Sequence, residues 1–237
     1  MSIHLLTSEL EFPDPAQARV DGLLAMGGDL SIDRLLLAYE RGIFPWYSEE
    51  SPIMWWSPDP RCVLWTKDVV VSKSMRNVLN RGEFKFSFDK KFRQVIEQCR
   101  SIDRDEQGTW ISEPIVDAYC ALHELGVAHS VEVYKDNELV GGLYGVSLGR
   151  MFFGESMFSK VSNASKFGLI QLCRILSQSG FELIDCQIYN AHLGSLGALN
   201  ISRDSFLEIL RNKLTFDSII GSWQNSTGNF NRYQAKN

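Results

Sequence analysis

Three consecutive residues, Asp185-Cys186-Gln187, are the strongest candidates for chemistry in this chain. They close the run Phe181-Glu182-Leu183-Ile184, which reads as a buried strand following Gly180. Side chains two apart on a strand share a face. Asp185 and Gln187 are therefore expected to point together, with Ile184 and Cys186 turned the other way. A carboxylate beside a carboxamide can accept or relay a proton. Read bare, such a pair is more often two polar groups satisfying each other.

Neighbouring elements must position that pair. The apolar run Met151-Phe152-Phe153 breaks at Gly154-Glu155-Ser156, and a helix follows over about residues 163–178, stopped by Gly180. Upstream, the apolar spacing predicts helices over 32–41, 72–81, 91–100 and from a Ser112 cap to Leu125. Strands are expected over 84–88, 130–134, 139–148 and 150–153. Gly27-Gly28-Asp29 makes a tight turn with no clear strand before it and no Lys-Ser/Thr after it, so it is read as structural and not as a phosphate loop. The stretch 42–61 holds three of the six tryptophans and four of the seven prolines, a rigid plug from which one or two rings reach a site. The polar tail after Leu214 has Trp223 as its anchor.

Composition bounds the function. The chain has 237 residues, 44% hydrophobic and 22% charged, as in an ordinary globular protein with a real core. No stretch reaches the length of a membrane span, and the first residues lack the pattern of a signal peptide. Five scattered cysteines suit a reducing cytoplasm and neither a disulfide framework nor a zinc site. His123, His129 and His192 lack ligand spacing and read as structural. The net charge of −5 hides an asymmetry: residues 1–60 carry ten acids against three arginines, whereas residues 73–93 carry seven basic residues against two acidic ones. That basic island is a solvated helix face or a phosphate-docking surface.

The order helices, antiparallel strands, helix, strand resembles the N-acetyltransferase superfamily. The expected class is α+β, with a small N-terminal α/β domain over residues 1–62 and an N-acetyltransferase-like catalytic domain over 63–237 carrying a mixed, mainly antiparallel sheet. A coenzyme A enzyme of this type needs a glycine-rich loop whose N–H groups cradle a pyrophosphate. Phe158 to Ser165 occupies that place without a glycine. No cofactor or metal is expected.

Longer blocks carry a narrower resemblance. They are GLLA (Gly22–Ala25), GGDLS (Gly27–Ser31), YERGIFPW (Tyr39–Trp46), WWSPDPR (Trp55–Arg61), GTWI (Gly108–Ile111), GGLYG (Gly141–Gly145), GESMFS (Gly154–Ser159), NASK (Asn163–Lys166), LIDCQ (Leu183–Gln187) and SLGA (Ser195–Ala198). In this order they resemble the leucyl/phenylalanyl-tRNA–protein transferases of bacteria. The resemblance implies transfer of Leu, Phe or, less well, Met from aminoacyl-tRNA to proteins beginning with Arg or Lys, marking them for N-degron degradation. It implies Asp185 as charged partner or proton acceptor, with Gln187 as relay. The donor pocket would be Leu143, Phe152, Leu169, Leu172 and Ile184, with Leu143 and Leu172 standing where some members carry Met and Phe. Trp46 and Trp110 would lie near the terminal adenosine. Glu155 would receive the donor's α-ammonium or the acceptor's basic side chain. Lys73, Arg76, Arg81 and Lys85 would meet tRNA phosphates. The enzyme would be a cytoplasmic monomer. Two other readings stay open: an N-acyltransferase with another acyl donor, and a non-catalytic tRNA-binding module.

Overall fold

The computed structural model describes residues 3–102 and 110–224. Gly108 and Thr109 of the GTWI block, and the tail beyond Gln224, lie outside the described residues.

The N-terminal part contains β1 (His4–Leu6), β2 (Leu23–Gly27), α1 (Ile32–Glu40), β3 (Phe44–Pro45) and β4 (Met54–Trp56), forming a four-stranded sheet in the order β1-β2-β4-β3. The Gly27-Gly28 turn thus does follow a strand. Both glycines sit at positive φ, 89° and 72°, which turns the chain from β2 toward α1.

The rest of the chain supplies β5 (Arg61–Trp65), α2 (Lys73–Arg81), β6 (Lys85–Phe88), α3 (Phe92–Ser101), α4 (Glu113–Glu124), β7 (Ala128–Lys135), β8 (Glu138–Leu148), β9 (Met151–Ser159), α5 (Ala164–Gln178), β10 (Leu183–Gln187), α6 (Ala191–Gly194), β11 (Leu199–Ile201) and α7 (Arg203–Lys213). Seven strands make one sheet in the order β11-β5-β10-β9-β8-β7-β6. Its neighbours are antiparallel except β9 and β10, which run parallel and pair only over Met151–Phe153 and Leu183–Asp185. This mixed, mainly antiparallel sheet, with one parallel pair that parts, is the α+β arrangement expected of an N-acetyltransferase-like domain.

Alternation along the strands divides the core into two layers. Val63, Phe153 and Leu183 face a cluster that includes Phe44, Trp55, Tyr119 and Phe206, so the N-terminal sheet, α4 and α7 share one apolar layer. Cys62, Leu64, Phe152 and Ile184 face the other layer, against Leu169, Leu172 and Leu176 of α5.

Two β-bulges interrupt that alternation. The expected break at Gly154 is instead a bulge inside a continuous β9: Tyr144 pairs with Ser156 and Gly145 with Gly154, leaving Glu155 as the extra residue. Gly145 permits it, since a Cβ there would lie 2.1 Å from Phe153 O. The second bulge lies in β10, where Asp185 pairs with Val63 and Gln187 with Cys62. Gln187 takes a positive φ of 62°.

Candidate active site

Where β9 and β10 part, the sheet opens into a cavity of about 970 Å³. Its apolar wall comes from Leu143 of β8, Phe152 of β9, Leu169 and Leu172 of α5, and Ile184 of β10. Trp46, Met54, Trp56 and Trp110 form an aromatic side. All eight residues named above for substrate contact line this one space, including Glu155. The volume suits a drug-sized ligand.

Contrary to the expectation from strand alternation, the side chains of Asp185 and Gln187 do not point into the cavity together. Gln187 lines the cavity, as do Ile184 and Cys186, whereas Asp185 does not and is 0% exposed. The bulge explains the difference, because one extra residue re-aims the side chain that alternation would have placed beside Asp185. Asp185 faces the opposite layer, where Arg61 donates to it through Nε to Oδ1 at 2.8 Å and Nη2 to Oδ2 at 2.6 Å. Its Oδ1 also accepts the Gln187 backbone N–H at 2.9 Å. Buried and outside the cavity lining, Asp185 holds the Gln187 backbone N–H.

The partner of the Gln187 side chain is Glu155. Gln187 Nε2 donates to Glu155 Oε1 at 2.8 Å, so the two bulge residues meet across the gap between the strands. Behind Glu155 stand two buried phenols. Tyr39 of α1 donates to Oε1 at 2.7 Å and Tyr119 of α4 to Oε2 at 3.1 Å, and the two hydroxyls also touch each other. Each phenol has one proton. Both phenol protons are given to the Glu155 carboxylate, and the Tyr39–Tyr119 contact brings the two hydroxyl oxygens together beside it. Burial pushes the Glu155 carboxyl up, to about 7, while the two phenols and Gln187 hold it back from going higher. Burial first, and then Glu155's charge, keep both tyrosines protonated well above the usual phenol range.

Other lining groups are less suited to catalysis. Cys186 lines the cavity despite its expected outward turn. Its hydrogen bond to Cys62 and its burial hold the thiol well above the usual range, so it is a poor nucleophile. His192 also lines the cavity, although its spacing gave no sign of it, and burial lowers its basicity. His123 bonds to Ala128 O and His129 to Asp89, as structural histidines do. Among the described residues no cluster of three His, Cys, Asp or Glu could hold a metal ion. At the start of α5, the N–H groups of Ala164 and Ser165 already donate to Val161 O and Ser159 Oγ, so this end is not an open cradle for a pyrophosphate.

The basic island lies apart from the cavity lining. Lys73, Arg76 and Arg81 are exposed on α2, Lys85 is exposed on β6, and Arg81 faces Glu83 at 3.5 Å. No helix among the described residues is long and apolar enough to cross a membrane.

Sequence missed Arg61, Tyr39 and Tyr119. Tyr39 and Arg61 stand within quoted blocks, at the start of YERGIFPW and the end of WWSPDPR. The signal available was that a fully buried Asp185 requires a counter-charge.

Comparison with known proteins gives matching results over most of the chain. A family model described as leucyl/phenylalanyl-tRNA protein transferase matches residues 63–211, and the N-terminal domain model of the same description matches residues 28–59. Leucyl/phenylalanyl-tRNA–protein transferase of Flavobacterium psychrophilum is 57% identical over 88% of this chain and 100% of its own length. That of Syntrophus aciditrophicus is 52% identical over 94% of each. Among solved structures, the chain is similar to an aminoglycoside acetyltransferase from a soil metagenome, with 14% identity, a TM-score of 0.37 and coverage of 55% of this chain and 87% of that one. It is also similar to L-PGS from Bacillus licheniformis, with 12% identity, a TM-score of 0.40 and coverage of 70% and 53%. The family match and the identities over nearly full length carry one conclusion: this chain belongs to the leucyl/phenylalanyl-tRNA protein transferase family and is an aminoacyltransferase.

Proposed function

We propose that the protein transfers leucyl and phenylalanyl groups, and methionyl less well, from aminoacyl-tRNA to the α-amino group of polypeptides beginning with Arg or Lys, marking them for N-degron degradation. The observation that carries this reading is the cavity itself, with an apolar wall deep enough for Leu or Phe and a Glu155–Gln187 pair at its polar edge. An aminoacyl ester is already activated, so the reaction needs neither a nucleotide nor a metal to drive it.

In this reading the donor side chain enters the wall of Leu143, Phe152, Leu169, Leu172 and Ile184. Trp46, exposed at 41%, and Trp110 receive the terminal adenosine, with stacking worth about 1–3 kcal/mol per base. The neutral α-amine attacks the ester carbonyl, Glu155 takes its proton as the C–N bond forms, the bond to the ribose oxygen breaks, and that oxygen leaves with the proton that Glu155 returns. Gln187, its Nε2 committed to Glu155, offers Oε1 to an N–H of the attacking amine. Asp185 contributes through the Gln187 backbone. Alignment of this kind supplies about 7–11 kcal/mol in well-oriented reactions. The exposed basic island of Lys73, Arg76, Arg81 and Lys85 receives tRNA phosphates.

We also propose that residues 1–62 and 63–237 act as two units, the first lending Tyr39 and Trp46 to a site built on the second. A monomer suffices, because one chain supplies the whole lining. A cytoplasmic setting agrees with five free thiols. The test presents labelled Phe-tRNA with peptides that differ only in their first residue. Transfer to Arg- and Lys-initiated peptides, and not to Ala- or Glu-initiated ones, is expected. Equal transfer to all of them would refute the acceptor assignment.

A further inference from the structure

Arg61 is 1% exposed, and its guanidinium lies between two rings, 4.7 Å from the Phe44 centroid and 4.6 Å from that of Phe206. Phe44 belongs to the N-terminal sheet and Phe206 to α7, so the arginine is clamped from both sides by elements outside its own strand. The clamp leaves the edge bearing Nε and Nη2 free to grip both oxygens of Asp185.

We propose that Arg61 is a positioning residue for aminoacyl transfer, holding the Gln187 carboxamide at the cavity through Asp185. The inference rests on the aminoacyl-transfer reading given above and adds a link that reading does not contain. Gln187 occupies the left-handed region at φ 62°, which disfavours any residue with a Cβ. Glycine would relieve that strain, but it would remove the carboxamide. The conformation is held instead by the Gln187 N–H donating to Asp185 Oδ1, the same oxygen that accepts from Arg61 Nε. A rotation of the Asp185 carboxylate would therefore release the Gln187 backbone and swing Nε2 away from Glu155. Only a planar, two-pronged cation stacked between rings fixes that rotation, which a lysine ammonium cannot do. The chain of contacts Phe44/Phe206, Arg61, Asp185, Gln187, Glu155 joins the N-terminal sheet and α7 to the reacting edge of the cavity.

A purely structural ion pair would change stability and leave catalysis per folded molecule alone. The two roles separate in single-turnover transfer of labelled Phe from Phe-tRNA to an Arg-initiated peptide, using Arg61→Lys, Gln187→Ala and the double variant. Misplacement of this order costs about 10²-fold in rate. Arg61→Lys is expected to lose that much at saturating substrate with KM for Phe-tRNA unchanged, and to add nothing in the Gln187→Ala background. An equal further loss in that background, or an effect confined to KM, overturns the proposal. If Gln187→Ala leaves too little transfer to read, the split between kcat and KM in Arg61→Lys decides by itself. Phe206→Leu, which opens one side of the clamp while leaving the ion pair, is measured alongside. If Arg61→Lys does not fold, the same loss in Phe206→Leu, confined to kcat, supports the proposal, and full-rate transfer by that variant overturns it. Absence of transfer by the unaltered protein would sink the function proposed above, whereas full-rate transfer by a folded Arg61→Lys variant sinks only this inference.

Discussion

Gln187 in the bulge of β10 donates a 2.8 Å hydrogen bond to Glu155 in the bulge of β9. Each bulge inserts one residue into its strand, Glu155 in β9 and Cys186 in β10, and the second turns Gln187 to face Glu155 in the gap where the strands stop pairing. Regular strands would have sent both into one or other apolar layer. The polar edge of the cavity therefore exists because the sheet is irregular in two facing places.

The pH dependence follows from Glu155. Its carboxyl is pushed up to about 7, so it becomes a proton acceptor as the pH rises through that value. The kcat/KM for peptide should rise through about 7 and again as the α-amine loses its proton near 7.7–8.0. Glu155→Gln should lose the lower limb, keep the upper one, and fall by about 10²–10⁴-fold at its plateau. A retained lower limb in a pH–rate profile would assign it to another group.

Tyr39→Phe removes a donor that favours ionised Glu155. The acid limb should move to higher pH while the alkaline limb stays in place. Tyr119→Phe should act in the same direction. Movement to lower pH in either variant would contradict the hydrogen-bond directions described here.

Glu155 also links pH to stability. Its folded pKa lies above the unfolded value of 4.5, so the folded state binds the extra proton between about 4.5 and 7. Stability from this group is present below that window and is lost as pH rises through it. Glu155→Gln should flatten the decline, measurable as Tm against pH. A steeper decline in the variant would reverse the sign argued here.

Donor choice should follow pocket volume. Leu172→Phe fills part of the apolar wall and should lower transfer of Phe more than of Leu, with one methylene worth about 1–3 kcal/mol of discrimination. Leu172→Ala should relax the preference at a stability cost of about 2–5 kcal/mol. The ratio of kcat/KM for the two aminoacyl-tRNAs reports both, and an unchanged ratio in both variants would move the donor side chain elsewhere.

Neutralising Lys73, Arg76, Arg81 and Lys85 should raise KM for aminoacyl-tRNA and flatten its salt dependence, by about 0.7–0.9 in log–log slope for each lost phosphate contact. Transfer from an aminoacyl-adenosine, which carries no stem, should not change. An unaltered salt slope would leave the island as a solvated face.

Much of the scaffold was legible in the sequence. The helices α1 to α5 announce themselves by apolar spacing and by Ser or Gly at their ends, and they fall within about two residues of expectation. The apolar residues Leu143, Phe152, Leu169, Leu172 and Ile184 do line one space. The two bulges were not legible, because one inserted residue leaves the hydrophobic pattern almost intact while reversing which way Gln187 faces. Arg61 was missed because its partner lies 124 positions away, and pairing at that separation is decided by sheet order. Strands β1 and β11 are only three residues long, too short for a periodic signal. Helix α7 did carry one, with a Ser202 cap and Phe206 and Leu210 on one face, and could have been found.

The central claim is that the facing pair Glu155 and Gln187 carries out aminoacyl transfer at the edge of an apolar cavity. Its most direct test is the single-turnover rate of labelled Phe moving from saturating Phe-tRNA to an Arg-initiated peptide in the unaltered protein, Glu155→Gln and Gln187→Ala, each shown to be folded. The account predicts transfer by the unaltered protein and a rate lower by about 10²-fold or more in each variant, with Phe-tRNA binding retained. Full-rate transfer by both variants would contradict it.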